Sequence, residues 1–558
     1  MFLLIDKLGL QQNKDEGTTN SKFSDPPNIG ITNLCHFEPA TTDEIKNIIT
    51  SSATKSCELD VIPTWLLKQC IGTLLPFITE FVNRSLSSSC LPDQHKSAVV
   101  RPLLKKKGLN PELLKNYRPV SNLTFLSKLV EKVVSTRLDS HMVNNNLLEP
   151  MQSAYKKYHS TETALICVQD DILKTLDDGK VCVLVLLDLS AAFDTVDFGI
   201  LLNRLDNLYG IKGSALAWFR SYLTNRTQKV AIGKCTSNVA HLQCGVPQGS
   251  VLGPKLFSMY TKPLGDIIRN HQLKYHFYAD DSQIYTEFDP NSDFQSTVSL
   301  LDTCIQDVRT WMGLNCLKFN DSKTEVVLFG SGRGLLNART LEVRVGNVSI
   351  SPAVCARNLG VMYDQNLVMD KHVKSVCRVC YMQLHRIGRI KKYLSTDALK
   401  SLIHATITSR LDYANGLLYG INKCHLYRLQ KVQNHCARII AKSGRRSHMT
   451  PILKSLHWLP IKQRITFKVL LYTFKSLLLQ CPTYISNLVE RYMPARPLRS
   501  AGQDRLVIPD SKKMFGDRRF RMASAVLWNA LPSNIKECTT VRQFKIKLKT
   551  HLFSCVFN

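Results

Sequence analysis

No segment constrains this chain more than Val181-Cys-Val-Leu-Val-Leu-Leu187. Seven consecutive apolar residues leave no polar face, so the run predicts a strand covered on both sides, and it ends on a carboxylate, Asp188. A second strand signal covers Leu273 to Phe288. There Tyr275-His-Phe-Tyr278 and Ile284-Tyr285 flank Ala279-Asp-Asp-Ser282, which predicts a hairpin with acidic residues at its bend. If these strands share a sheet, Asp188, Asp280 and Asp281 converge at one edge. Like charges so placed repel, and a cation of high charge density makes the cluster tolerable. Oxygen ligands with open positions suit Mg²⁺, which keeps waters and substrate phosphates in its remaining sites. Two such ions, ~3.5–4 Å apart, activate an attacking hydroxyl and stabilise a leaving oxygen in phosphoryl transfer. Taken singly, each Asp could equally cap a turn.

The remaining pattern is mixed. Residues 1–33 read as a polar tail or linker. Thr41-Thr-Asp-Glu44 resembles a capping box opening a helix with Ile45, Ile48 and Ile49 on its apolar face. Helices are expected at Trp65–Leu67, Leu74–Val82, 120–148 and 161–176. Short strands are expected at Ser97–Leu104, Val326–Phe329, Glu342–Val345 and Asn358–Met362, and mostly helix after residue 370. Pro-containing interruptions fall at Leu456–Pro460 and Pro494–Pro497. The fold class is therefore α+β. Charge divides the 558 residues sharply: residues 1–370 hold 38 basic and 37 acidic side chains, residues 371–558 hold 35 and 7. So cationic a segment points to a polyanion partner. No run reaches the ~18 apolar residues that span a bilayer, and Met1–Ile5 is too short for a signal peptide. The 18 Cys are scattered, and the Cys377-x-x-Cys380 pair has no partner motif that would complete a zinc site. These features describe a soluble intracellular protein of cytoplasm or nucleus, with no membrane and no obligatory protein partner.

Three blocks in order carry a specific resemblance. Asp188-Leu-Ser-Ala-Ala-Phe-Asp194, Gly245-Val-Pro-Gln-Gly-Ser-Val-Leu-Gly-Pro254 and Tyr278-Ala-Asp-Asp281 resemble the first three palm motifs of reverse transcriptases. Within these the likeness is to the non-LTR (LINE-type) retrotransposons of the jockey and chicken-repeat kind. The resemblance implies a right-hand polymerase: fingers, an antiparallel palm sheet packed on helices, and a helical basic thumb. Residues 1–90 would be tail and linker, 91–365 fingers and palm, and 366–558 thumb and C-terminal region. Asp188, Asp280 and Asp281 would hold two Mg²⁺ ions, with Mn²⁺ as a substitute and the Leu189 carbonyl assisting. Phe193 would exclude a 2′-hydroxyl, making dNTPs the substrates; its alternative is plain core. Gln248 and Gly249 would line the nucleotide pocket, and Tyr278 would pack on the primer terminus.

Flanking blocks extend the likeness. Asn116-Tyr-Arg-Pro-Val-Ser121 resembles the fingers motif whose Arg, here Arg118, grips the triphosphate in a bidentate way. The next fingers motif departs from its pattern: Gln152-Ser-Ala-Tyr-Lys156 places Lys156 where the family has Arg and Ala154 where it has Gly. Lys323, within Leu314–Glu325, would protonate the leaving pyrophosphate; its alternative is a surface lysine. Asn358-Leu-Gly-Val361 resembles the primer grip, giving Leu359 and Gly360 that role. Leu411–Asn415, His457–Pro460 and Arg496–Ser500 recur as phrases in the same elements, without assigned roles. The implied partners are an RNA template, a DNA primer, their RNA–DNA hybrid and dNTPs. A +28 thumb would track phosphates in a salt-dependent manner, and Tyr381, Tyr393, Tyr413, Tyr419, Tyr427 or Trp458 could stack on bases. Residues 1–100 do not resemble the endonuclease such elements carry upstream, so a truncated copy or a partial gene model is expected. The rival readings are an RNA-dependent RNA polymerase, a group-II-intron maturase, and a decayed copy that binds nucleic acid without polymerising.

Overall fold

The computed structural model describes residues 30–557 except 56, 107, 191, 292, 293, 339, 347, 445 and 494–503. The tail up to residue 29, the Pro494–Pro497 interruption and the phrase Arg496–Ser500 lie outside the described residues. In chain order the elements used below are α1 (Thr42–Ser51), α2 (Ile71–Ser87), β1 (Ala98–Leu104), β2 (Tyr117–Asn122), α3 (Phe125–Asn144), α4 (Thr161–Asp177), β3 (Val181–Leu187), β4 (Thr227–Ile232) and α5 (Gly253–Tyr260). They continue with β5 (Lys274–Tyr278), β6 (Asp281–Phe288), β7 (Glu325–Phe329), β8 (Cys355–Asn358), β9 (Val361–Asp364), α6 (Asp370–Ile390), α7 (Lys423–Ala441), α8 (Ile461–Leu477) and α9 (Val541–Phe557). Helices and sheets alternate without a repeated unit, an α+β fold. Two compact units emerge: one takes residues up to 152, 188–270 and 306–320, the other residues 153–187, 271–305 and 321–558.

In the first unit β1 lies between β2, antiparallel, and β4, parallel. Thr41 caps α1 as its sequence suggests, its Oγ1 accepting from the Glu44 N–H at 3.2 Å, and Ile45 and Ile49 are fully buried. Residues 120–122 depart from the helical reading. They pair with Arg101, Val100 and Val99 as the end of β2, and α3 begins only after Thr124, whose hydroxyl caps the Ser127 N–H. Tyr117-Arg-Pro119 had already committed the backbone to extended geometry. Val130, Val133 and Val134 of α3 are buried, as are Trp218, Phe219 and Tyr222.

The second unit is built on an antiparallel sheet in the order β7-β3-β6-β5. β3 is one of its two inner strands and is buried almost throughout, as an uninterrupted apolar run requires. Cys182 and Leu184 face α4, whose Leu165, Ile172, Leu173 and Leu176 join the same core. That core continues without a break into Val373 and Leu384 of α6, Leu429 and Val432 of α7, and Ile465 and Val469 of α8. The basic C-terminal region therefore shares its hydrophobic interior with the sheet. A smaller core, Phe474, Trp528 and Phe544 with stacked rings, fixes α9 against α8. The expected strand Asn358–Met362 is instead the hairpin β8–β9, because Leu359 and Gly360 both have positive φ (+42° and +88°) and reverse the chain.

Candidate active site

β3 ends at Leu187, which pairs with Ser282 of β6; one step along β6, Asp281 pairs with Tyr278 of β5. Asp188 is thus the residue that follows β3 at the end of the sheet where the β5–β6 bend turns. The bend is tighter than the four-residue turn expected: only Ala279 and Asp280 lie between the paired residues. Ala279 has φ +56°, a left-handed conformation that costs a residue with a Cβ ~1–2 kcal/mol. Such stored strain clusters at working sites. Asp188 and Asp280 are half-buried and Asp281 is exposed. In the first unit the Asp188 carbonyl accepts from the Asn320 N–H at 3.0 Å, and its carboxylate accepts from Asn320 Nδ2 at 3.3 Å. Leu189 is buried and pairs with Phe319. These donors are all oxygen, the chemistry that a hard divalent cation selects. Among the described residues no three His, Cys, Asp or Glu side chains form a ready-made metal cage.

Of the residues expected around a nucleotide, Gln248 and Gly249 share one loop of the first unit, and Phe193 is joined to that loop through the backbone. The Val246 N–H donates to the Phe193 carbonyl, and the Ser121 N–H on β2 donates to the Gln248 carbonyl, both at 2.8 Å. Phe193 is half-buried and stacks on Phe257, with ring centroids 4.6 Å apart. Gln248 Oε1 is buried and has no hydrogen-bond partner among the described residues. Gly249 has φ +128°, and a Cβ there would stand 2.5 Å from the Ser121 carbonyl oxygen. Its need is thus a close approach to β2. Gly249→Ala is expected to destabilise the chain by about 2 kcal/mol or more, read as a lower denaturant midpoint. Burial pushes the neighbouring Asp194 carboxyl up to about 6.

Glu131 of α3 was not singled out from sequence, yet it holds this loop. Fully buried, it accepts the Val251 and Leu252 N–H groups at 2.7 and 2.9 Å just before α5. Burial raises its pKa, while those donors and Arg226 oppose the rise. The available signal was a lone acid within Leu129-Val-Glu-Lys-Val-Val134.

Arg118 is exposed on β2, opposite Leu103. In the second unit Lys156 is half-buried and Ala154 is 2% exposed, so the alanine serves as core. Lys323 is exposed on the short turn Asp321–Lys323. Tyr278 is half-buried. Its strand is pinned from behind: the Ser153 N–H donates to the Phe277 carbonyl, and Ser153 Oγ lies 2.8 Å from His276 Nε2 and 2.6 Å from the Tyr484 hydroxyl. Burial lowers His276 to about 3, which keeps the ring neutral.

The basic segment is less uniform than its composition. Trp458 is buried, its ring edge-on to His404, and Tyr419 packs partly against the core, so Trp458 is not a stacking platform. Tyr381, Tyr393, Tyr413 and Tyr427 are exposed. Lys371, Lys374, Arg378, His385 and Arg389 are exposed on α6 at spacings of three, four or seven, one face about 27 Å long. Cys377 and Cys380 sit a turn apart on the same helix, both thiols pushed up by burial. No helix among the described residues is long and apolar enough to cross a membrane.

With this geometry in place, comparison with known proteins defines the class: residues 104–364 match the family model described as reverse transcriptase (RNA-dependent DNA polymerase). The likeness extends past that segment. The chain is 27% identical over 480 residues to a probable RNA-directed DNA polymerase from transposon BS of Drosophila melanogaster, covering 83% of this chain and 51% of that protein. It is 26% identical over 417 residues to the corresponding protein of transposon X-element, and 24% over 413 residues to the RNA-directed DNA polymerase from mobile element jockey, both of Drosophila melanogaster. Each of these two matches covers 72% of this chain and 44% of the relative. The chain spans about half the length of the curated relatives it matches. Residues 104–364 are thus similar to reverse transcriptases, and the longer matches are to RNA-directed DNA polymerases of mobile elements.

Proposed function

We propose that the chain is an RNA-directed DNA polymerase of a non-LTR retrotransposon, adding dNMPs to a primer 3′-hydroxyl on an RNA template. The observation that carries this reading is the β3–β6 register: Leu187, the residue before Asp188, stands opposite Ser282, the residue after Asp280-Asp281. On this reading residues 91–365 are fingers and palm, with the β7-β3-β6-β5 sheet as the palm, and residues 366–558 are the thumb and C-terminal region. Asp188, Asp280 and Asp281, with the Leu189 carbonyl, would hold two divalent ions, Mg²⁺ or in its place Mn²⁺. Bound there, the metal supplies charge stabilisation to phosphoryl transfer.

The chain's own side chains do the rest. Arg118 and Lys156 bind the triphosphate, the first through a planar fork and the second as a point charge. Gln248, whose Oε1 lacks a partner among the described residues, and Gly249 line the nucleotide pocket, and Lys323 carries a proton for the leaving pyrophosphate. Tyr278, Leu359 and Gly360 seat the primer end. The exposed face of α6 would follow the phosphates of the RNA–DNA hybrid. Phe193, braced on Phe257, would close the space beneath the sugar, so that dNTPs are used and NTPs refused. Phe193→Ala is expected to raise UTP incorporation opposite poly(rA) at least about tenfold relative to dTTP, the scale of one filled contact. Equal dTTP and UTP use by the wild type would favour an RNA polymerase instead.

A further inference from the structure

The phrase Leu411-Asp-Tyr-Ala-Asn415 lies beyond the matched segment, and no role for it follows from that match. It ends a helix that passes through a π-helical turn, His404–Thr408. Most of its residues have evident structural work. Leu411 is core, Asp412 takes the Arg464 guanidinium, Ala414 turns the chain at φ +50°, and Asn415 is buried. The next N–H, of Gly416, donates to Glu162 Oε1 at 3.0 Å.

Tyr413 differs. It is 41% exposed, so its ring is not there to fill the core, yet its hydroxyl is fully engaged. It donates to the Leu359 carbonyl at 2.6 Å and lies 3.1 Å from Thr161 Oγ1, which can donate in return. Leu359 and Gly360 form the β8–β9 bend. A leucine at φ +42° is disfavoured and needs outside support. A Cβ on Gly360 would stand 3.3 Å from the Tyr413 ring and hydroxyl. From the opposite side, Asn358 Nδ2 donates to Gln283 Oε1 of β6 at 2.7 Å, in a buried contact. The bend is therefore fastened to the Tyr278 hairpin by one bond and to the C-terminal region by another. Proximity to Tyr413 also adds to burial in raising the Tyr278 phenol.

We propose that Tyr413 is a positioning residue for the primer terminus, its hydroxyl holding the Leu359–Gly360 bend in place beside the Tyr278 hairpin. The primer part of this assignment rests on the reverse transcriptase reading; the fastening of the bend does not. Tyr413→Phe in the full chain removes one hydroxyl and keeps the ring. Amide hydrogen exchange within residues 358–362 should then quicken about three- to tenfold, the worth of one neutral hydrogen bond, while α7 keeps its protection. In extension of a primed RNA template, the primer–template concentration at half-maximal rate should rise by about the same factor, with the KM for dTTP changing less than twofold. Unchanged exchange at the bend, or a defect in dTTP KM alone, overturns the proposal. A wild type that does not extend any primer refutes the polymerase reading, and the exchange result then decides the role of Tyr413 in holding the bend.

Discussion

Asparagine in place of Asp280 is expected to reduce primer extension by at least about a thousandfold, ~4 kcal/mol of transition-state stabilisation, with the fold unchanged. The substitution is nearly isosteric and falls in a two-residue bend closed by the Tyr278–Asp281 pair. It exchanges an anionic oxygen for a neutral amide, which a divalent cation binds far less well. The backbone strain sits one residue away, at Ala279, and is not altered. Thermal unfolding should therefore stay within a few degrees of the wild type or rise slightly, since one charge is withdrawn from an acidic bend. Extension retained above a tenth of the wild-type rate would remove Asp280 from the metal-binding set.

The largest effect on stability is expected at a position outside the candidate active site. Helix α4 carries three buried acidic residues, Glu162, Asp170 and Asp177, each less than 9% exposed and spaced eight and seven apart, which places them on one stripe. Every one is answered from the C-terminal region. Glu162 meets Lys468 and Tyr472 at 3.1 Å. Asp170 meets the Arg519 guanidinium at 3.1 Å and the Arg521 N–H at 3.0 Å. Asp177 accepts the N–H groups of Lys512, Lys513 and Gly516. Burial raises the Asp170 pKa, and Arg519 offsets part of that. Asp170→Ala would leave the Arg519 guanidinium, 10% exposed, without its counter-charge, a loss of about 3–5 kcal/mol. The exposed Arg84–Glu80 pair should by contrast contribute ~0–1 kcal/mol. Urea denaturation of Asp170→Ala and Glu80→Ala tests the contrast, and a loss below 1 kcal/mol at Asp170 would mean that the C-terminal region is held by its apolar core alone.

Those partners explain what sequence could and could not supply. β3, the acidic hairpin and α4 were legible because each signal is local: an apolar run, apolar segments flanking an acidic bend, and a helical pattern over 161–176. The sheet neighbours followed from ordinary strand pairing. The β8–β9 bend was not legible, since Leu359 is a poor left-handed residue and its bond to Tyr413 spans 54 positions. Glu131 looked like one more helical acid until its two N–H donors, 120 and 121 residues away, were in view. The charge excess after residue 370 read as a surface for phosphates. Part of it is spent inside the fold on α4, by Lys468 and Arg519, and on Asp412, by Arg464. Net charge counts such groups without revealing partners 300 residues away. The exposed face of α6 is among the basic surfaces that remain for a polyanion.

Extension of oligo(dT) on poly(rA), with dTTP and Mg²⁺, compares wild type and Asp280→Asn most directly against the central claim. The account predicts labelled DNA from the wild type alone. No extension by either protein, with salt-dependent hybrid binding retained by both, would contradict it and leave a folded chain that binds nucleic acid without polymerising.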